Sequence, residues 1–156
     1  MNETVGSCEV GAARGAGGAG APASRVLRFR PDFRWEGVPV QSYKAPADHW
    51  CGIIRSVLVG EGGERTAFHV RYFEIAPGGF SSLEHHRHEH VVVVLRGCGE
   101  VRLGETTHAV GFGDVVYVAP DEVHQLRNPS GAEPFGFLCV VDARRDAPVP
   151  VPPPTG

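Results

Sequence analysis

Short β-type runs cut apart by turn residues constrain this chain more than any other feature. The runs are I-I-R-S-V-L-V (53–59), F-H-V-R-Y-F-E-I (68–75), H-V-V-V-V-L-R (90–96), E-V-R-L (100–103), T-H-A-V (107–110), D-V-V-Y-V (114–118), H-Q-L-R (124–127) and F-G-F-L-C-V-V (135–141). Between them stand Gly60-Glu61-Gly62-Gly63, Pro77-Gly78-Gly79, Gly97-Cys98-Gly99, Gly111-Phe112-Gly113 and Asn128-Pro129-Ser130-Gly131, each rich in residues that tolerate tight turns. No stretch keeps the 3.6-residue repeat of an amphipathic helix. The pattern predicts an all-β chain, and the number and spacing of runs suit a double-sheet jelly roll.

A length of 156 residues is one domain's worth. Residues 1–24, with G-A-A-R-G-A-G-G-A-G-A-P-A, read as a flexible low-complexity tail. Residues 147–156, A-P-V-P-V-P-P-P-T-G, read as an extended, polyproline-like end. The ordered domain is expected over 25–146. A net charge of -3 and scattered arginines give no footprint for nucleic acid. No segment has the apolar length needed to span a bilayer, so no membrane partner is expected. The N-terminus lacks the ordered regions of a signal peptide. Cys8, Cys51, Cys98 and Cys139 form no Cys-x-x-Cys pair, and Cys139 lies in an apolar run. They read as reduced, Cys139 as core, and the chain as cytoplasmic.

Gly78 to Gly97 carries the chemistry. It places Glu84, His85, His86, His88 and His90 within seven positions, directly before an apolar β-branched run. On a continuous strand Glu84, His86, His88 and His90 would share one face. Imidazoles and a carboxylate on one face are metal-binding chemistry rather than core chemistry. His124, on a later run, allows a site to close from two strands. In 90–96, His90, Val92 and Val94 share a face, leaving Val91, Val93 and Leu95 on the other. An apolar outer face calls for cover from elsewhere in the chain or from a second subunit, and a homodimer is expected.

These residues resemble the cupin family. Gly78, Glu84, His86, His90 and Gly97 match the spacing of its first motif, G-x5-H-x-H-x3-E-x6-G, with the first histidine and the glutamate exchanged. Gly113, Ala119, Asp121, His124 and Asn128 match the second, G-x5-P-x-G-x2-H-x3-N, with alanine for proline and aspartate for glycine. The resemblance covers about residues 70–130 and implies a double-stranded β-helix (jelly-roll) barrel, a single cupin domain. It implies Glu84, His86, His90 and His124 as ligands of one divalent transition metal: iron, manganese, copper, nickel or zinc. On an octahedral ion four such ligands leave two adjacent positions for substrate, water or oxygen.

His88 has three candidate roles: a donor behind a metal ligand, a proton shuttle, or a ligand in place of Glu84. The alternative for Glu84 is a surface carboxylate at the mouth of the site. Along 68–75, either Phe68, Val70 and Tyr72 or His69, Arg71 and Phe73 face inward. Tyr72 or Arg71 would then meet an anionic substrate, or simply pair across strands. Trp35, Trp50 and Phe80 are candidates for the mouth or for the core, and His108 for the surface. The barrel wall is expected from Val92, Val94, Val116, Val118, Leu126 and Phe135 or Phe137. The favoured function is a metal-dependent oxidoreductase, a dioxygenase acting on a small organic substrate. The alternatives are a non-redox isomerase, cyclase or lyase using the ion as Lewis acid, and a binding or sensing module without catalysis.

Overall fold

The computed structural model describes residues 23–43, 50–129 and 132–152. The expected tail over 1–24 lies almost wholly outside the described residues, as do Cys8, the Ser130–Gly131 part of one turn, and residues 153–156.

The described residues form strands and no helix. In chain order they are β1 (Phe29–Arg30), β2 (Arg34–Trp35), β3 (Gln41–Ser42), β4 (Cys51–Val59), β5 (Phe68–Phe80), β6 (Glu84–His85), β7 (His90–Arg96), β8 (Cys98–Leu103), β9 (Thr106–Gly111), β10 (Val115–Val118), β11 (His124–Arg127), β12 (Phe135–Asp142) and β13 (Val149–Pro150). β1 and β2 make a separate hairpin; the other eleven join one antiparallel sheet. One half runs β10-β7-β12-β5-β4-β3, and the other β9-β8-β11-β6-β13. The halves meet where Arg127 pairs with Phe80, and the sheet curls into a jelly-roll barrel.

Alternation explains the core. Val92 and Val94 of β7, Val116 and Val118 of β10, Leu126 of β11, and Phe135, Phe137 and Cys139 of β12 point inward and pack into one cluster. Each wall residue expected from the sequence is in it. In β5 the inward set is Arg71, Phe73 and Ile75, each opposite an inward residue of β12. Tyr72 faces outward, buried under the β1–β2 hairpin, where Trp35 meets it at 4.9 Å and Phe33 stacks at 6.3 Å. Trp35 is therefore a cover for the outer face and Trp50 a core residue. His108 is exposed on β9.

Three expectations change. Pro77-Gly78-Gly79 does not end a strand: β5 bends through it and continues to Phe80. Gly78 takes φ +77, and a Cβ at Gly79 would sit 2.7 Å from the Cys51 carbonyl oxygen, so neither accepts a side chain. Asn128, fully buried, clamps the bend, donating from Nδ2 to the carbonyls of Ile75 and Glu133, both at 2.9 Å. Second, residues 84–90 are not one strand. β6 stops at His85, a bend follows, and β7 begins at His90. The bend is held by Asp146, whose carboxylate accepts the backbone N–H of Arg87 at 3.0 Å and of His88 at 3.2 Å. Third, the proline-rich end is extended but paired. Val149 and Pro150 lie opposite His85 and Glu84, and Val151 N–H donates to the Leu83 carbonyl at 2.8 Å.

Candidate metal centre

Three strand ends deliver three imidazoles to one point. His86 follows β6, His90 opens β7 and His124 opens β11. Their ligand atoms all lie within 4.8 Å of one another, and all three side chains are buried. Ring centroids are 4.8 Å apart for His86 and His124 and 5.1 Å for each of the other two pairs.

The outer nitrogens decide which atoms face the centre. His86 Nδ1 donates to the His88 carbonyl at 2.7 Å, and His124 Nδ1 to the Glu122 carbonyl at 2.8 Å. A carbonyl only accepts, so the proton is on Nδ1 and the lone pair on Nε2. His90 Nδ1 meets the Cys139 sulfur at 3.3 Å. His90 Nε2 and His124 Nε2 then stand 3.4 Å apart. That is the span of two nitrogens each about 2.0–2.1 Å from a shared ion.

Burial keeps these rings neutral. It is the largest cause pushing each of them below the ordinary histidine range, and the neighbouring imidazoles add to it. His90 is held down to about 3. Neutral imidazole is the ligating form, so the donor set fits a borderline divalent ion.

The turn that carries His124 shows why the second motif tolerates its departure. Asp121 occupies the left-handed region at φ +62, where glycine is favoured and aspartate is among the residues that can follow. Its N–H donates to the His86 carbonyl at 2.8 Å, tying the turn before β11 to the segment bearing another imidazole.

Of the four expected ligands, His86, His90 and His124 converge. Glu84 does not join them. It is the register partner of His124 on β6 and lines the same cavity. His88 also lines the cavity, stacked on His86 at 3.7 Å with the ring planes 5° apart, and its Nδ1 bonds Asp146 at 2.8 Å. Asp146, at the very edge of the expected domain, carries no local signal in the sequence. Its carboxyl is held far below the usual range, first by the Arg87 N–H and then by His88. Cys139 is buried, yet it is a cavity-wall thiol touching both His90 and the Arg71 guanidinium, which donates to it at 3.1 Å. Burial raises that thiol, and Arg71 opposes the rise. Tyr43, Ile53, Phe73, Leu126 and Phe137 make the wall largely apolar.

The fold and these motifs coincide with the cupin domain, whose family profile matches residues 71–141. A cupin-2 domain protein from Rhodospirillum rubrum superposes with a TM-score of 0.71 at 38% identity, covering 80% of this chain and 82% of that one. This chain is a cupin. A cupin 2 conserved barrel domain protein from Rhodopseudomonas palustris superposes on it at TM-score 0.73 and 38% identity, covering 80% and 85% of the two chains. In sequence the cupin is 39% identical over 121 residues to the 1-methylthio-D-xylulose 5-phosphate methylsulfurylase of Rhodospirillum rubrum, covering 77% of this chain and 76% of that enzyme. No helix of this cupin, among the described residues, is long and apolar enough to cross a membrane.

Proposed function

We propose that this cupin is a metal-dependent enzyme acting on a small phosphorylated 2-ketose that carries a methylthio group, which it removes. The observation that carries this reading is the convergence of three neutral imidazoles on a buried point in an apolar cavity. The likeness to the Rhodospirillum rubrum methylsulfurylase supplies the substrate class. His86, His90 and His124 would hold the ion, which when bound would polarise the ketone. A thiol co-substrate would attack the substrate sulfur, so that the S–C bond at the adjacent carbon breaks and the methylthio group leaves as a mixed disulfide. That carbon keeps the electron pair and takes up the thiol's proton.

The chain's own groups do the rest. Leu126, Phe137 and Phe73 exclude water from the reacting end. Asp146 fixes the His88 ring, which lines the cavity, through Nδ1, and this suits His88 to hold or move a proton beside the substrate. Glu84, which lines the same cavity, is a polar neighbour rather than a member of the imidazole set. The enzyme works in the cytoplasm, where its thiols stay reduced.

The test is direct. Metal-loaded protein and its His90→Ala variant are incubated with 1-methylthio-xylulose 5-phosphate and a small thiol reductant, and the S-methyl resonance of the sugar is followed by proton NMR. Loss of that resonance with wild type alone is expected; an unchanged spectrum with every first-row divalent ion sinks the reading. The dioxygenase expected from sequence has nothing in its favour beyond the same imidazoles. Oxygen uptake coupled to substrate loss would put it in place of the present proposal.

A further inference from the structure

Two arginines line the cavity and a third, Arg55, belongs to the same barrel interior, none of them ion-paired among the described residues. Arg55 on β4 and Arg71 on β5 face the barrel interior, since Arg55 is the register partner of inward Phe73, and Arg71 of inward Cys139. Arg145 reaches in from the turn after β12, and Arg71 and Arg145 both line the cavity that holds the three imidazoles. Among the described residues none of the three has an ion-pair partner within 4.0 Å, whereas Arg25, Arg30, Arg34, Arg87, Arg96 and Arg102 each have one.

Their hydrogen bonding is also incomplete. Arg71 is 9% exposed, and its Nε is buried with no acceptor. Among the described residues its side chain hydrogen-bonds the Cys139 sulfur, a weak acceptor, and its guanidinium lies 5.1 Å from the Phe73 ring. Arg55 donates to Gln41 Oε1 at 2.8 Å, and its Nε too is buried without an acceptor. Arg145 is held by a neutral acceptor, His69 Nδ1, at 3.2 Å, and more weakly by the Asp142 carbonyl at 3.4 Å. Burial lowers the Arg145 pKa, with Arg71 the next contribution in the same direction and Arg55 a smaller one; Cys139 and the exposed Glu61 oppose it. Burial likewise keeps His69 towards its neutral form, helped by Arg145. Such an arrangement is unfavourable by itself: one guanidinium buried and two partly withdrawn from water, with N–H groups left over.

An oxyanion resolves all of it. We propose that Arg71 and Arg145, backed by the charge of Arg55, form the subsite that binds the phosphate monoester end of the substrate, with its other end at the imidazole centre. Guanidinium forks match phosphate oxygens in geometry and charge. The path from one end to the other is short: Arg71 touches Cys139, and Cys139 touches His90. That the phosphate belongs to a methylthio-sugar rests on the function proposed above; the anion site itself does not.

Inorganic phosphate is the probe, titrated calorimetrically into full-length protein both metal-free and metal-loaded. Saturable binding to metal-free protein is expected, weakened about tenfold or more in Arg71→Met and in Arg145→Gln. Arg102→Gln, remote on β8, should bind as wild type does. Arg145→Gln keeps the test alive if Arg71→Met does not fold, because Arg145 lies outside the strands. No binding to metal-free protein, equal affinity in wild type and Arg145→Gln, or preference for succinate over phosphate would each overturn the proposal. Phosphate binding without turnover of the methylthio-sugar would leave the subsite standing and remove the proposed reaction. Turnover indifferent to both arginine substitutions would do the reverse.

Discussion

Acid should destabilise the metal-free protein through His90, and the size of the effect follows from its burial. The folded protein holds this ring down to about 3, against an ordinary 6.5, chiefly because burial penalises the imidazolium. Below pH 6.5 the unfolded chain therefore takes up a proton that the folded chain refuses, so stability falls as pH falls. From about pH 7 to about pH 5 the loss from His90 alone is about 2 kcal/mol, and near pH 5 it corresponds to about one proton taken up on unfolding. His86 and His124 are shifted in the same direction and add to the slope. The assay is urea denaturation of chelator-treated protein at several pH values, with His90→Gln alongside. The variant should show a slope of stability against pH shallower by about one proton. Equal slopes in wild type and variant would refute the claim that His90 is buried and neutral.

Metal content separates the converging residues from their neighbour. His86→Ala, His90→Ala and His124→Ala should each weaken divalent-ion retention by more than about tenfold in elemental analysis after dialysis, whereas Glu84→Gln should retain most of the metal. Asp146→Asn removes the charge that fixes the His88 ring, and should lower the rate by about tenfold with metal content unchanged. Asp121→Val puts a β-branched residue in the left-handed region at φ +62, and should cost about 1–2 kcal/mol in denaturant melts, while Asp121→Gly should not. The outer face of β10, β7 and β12 presents Val115, Tyr117, Val91, Val93, Leu138 and Val140 side by side, with Val115 64% and Tyr117 58% exposed. A second copy is expected there, so Tyr117→Glu should shift sedimentation from dimer to monomer, and monomeric wild type would refute it.

How much of this was legible in the sequence depends on how far apart the partners are. Strand positions and their inward residues followed from alternation, because pleating is a local property. Strands 90–96 and 124–127 fall where the runs place them. The histidines at 86, 90 and 124 were legible from motif spacing, which encodes a recurring geometry. Parity put Glu84 on one face with the histidines by assuming a continuous strand, whereas the Asp146 contact bends the chain after His85, and the ligand atoms that cluster are those of His86, His90 and His124.

By itself, then, the sequence determined an antiparallel β barrel with imidazoles at defined strand ends, since period-two patterning and turn chemistry act over a few residues. Tertiary structure alone decided what surrounds them. The Arg71–Cys139, Arg145–His69 and His88–Asp146 contacts join residues 68, 76 and 58 positions apart. No local pattern records such pairs, because they exist only once the strands have chosen their register and the sheet has closed on itself.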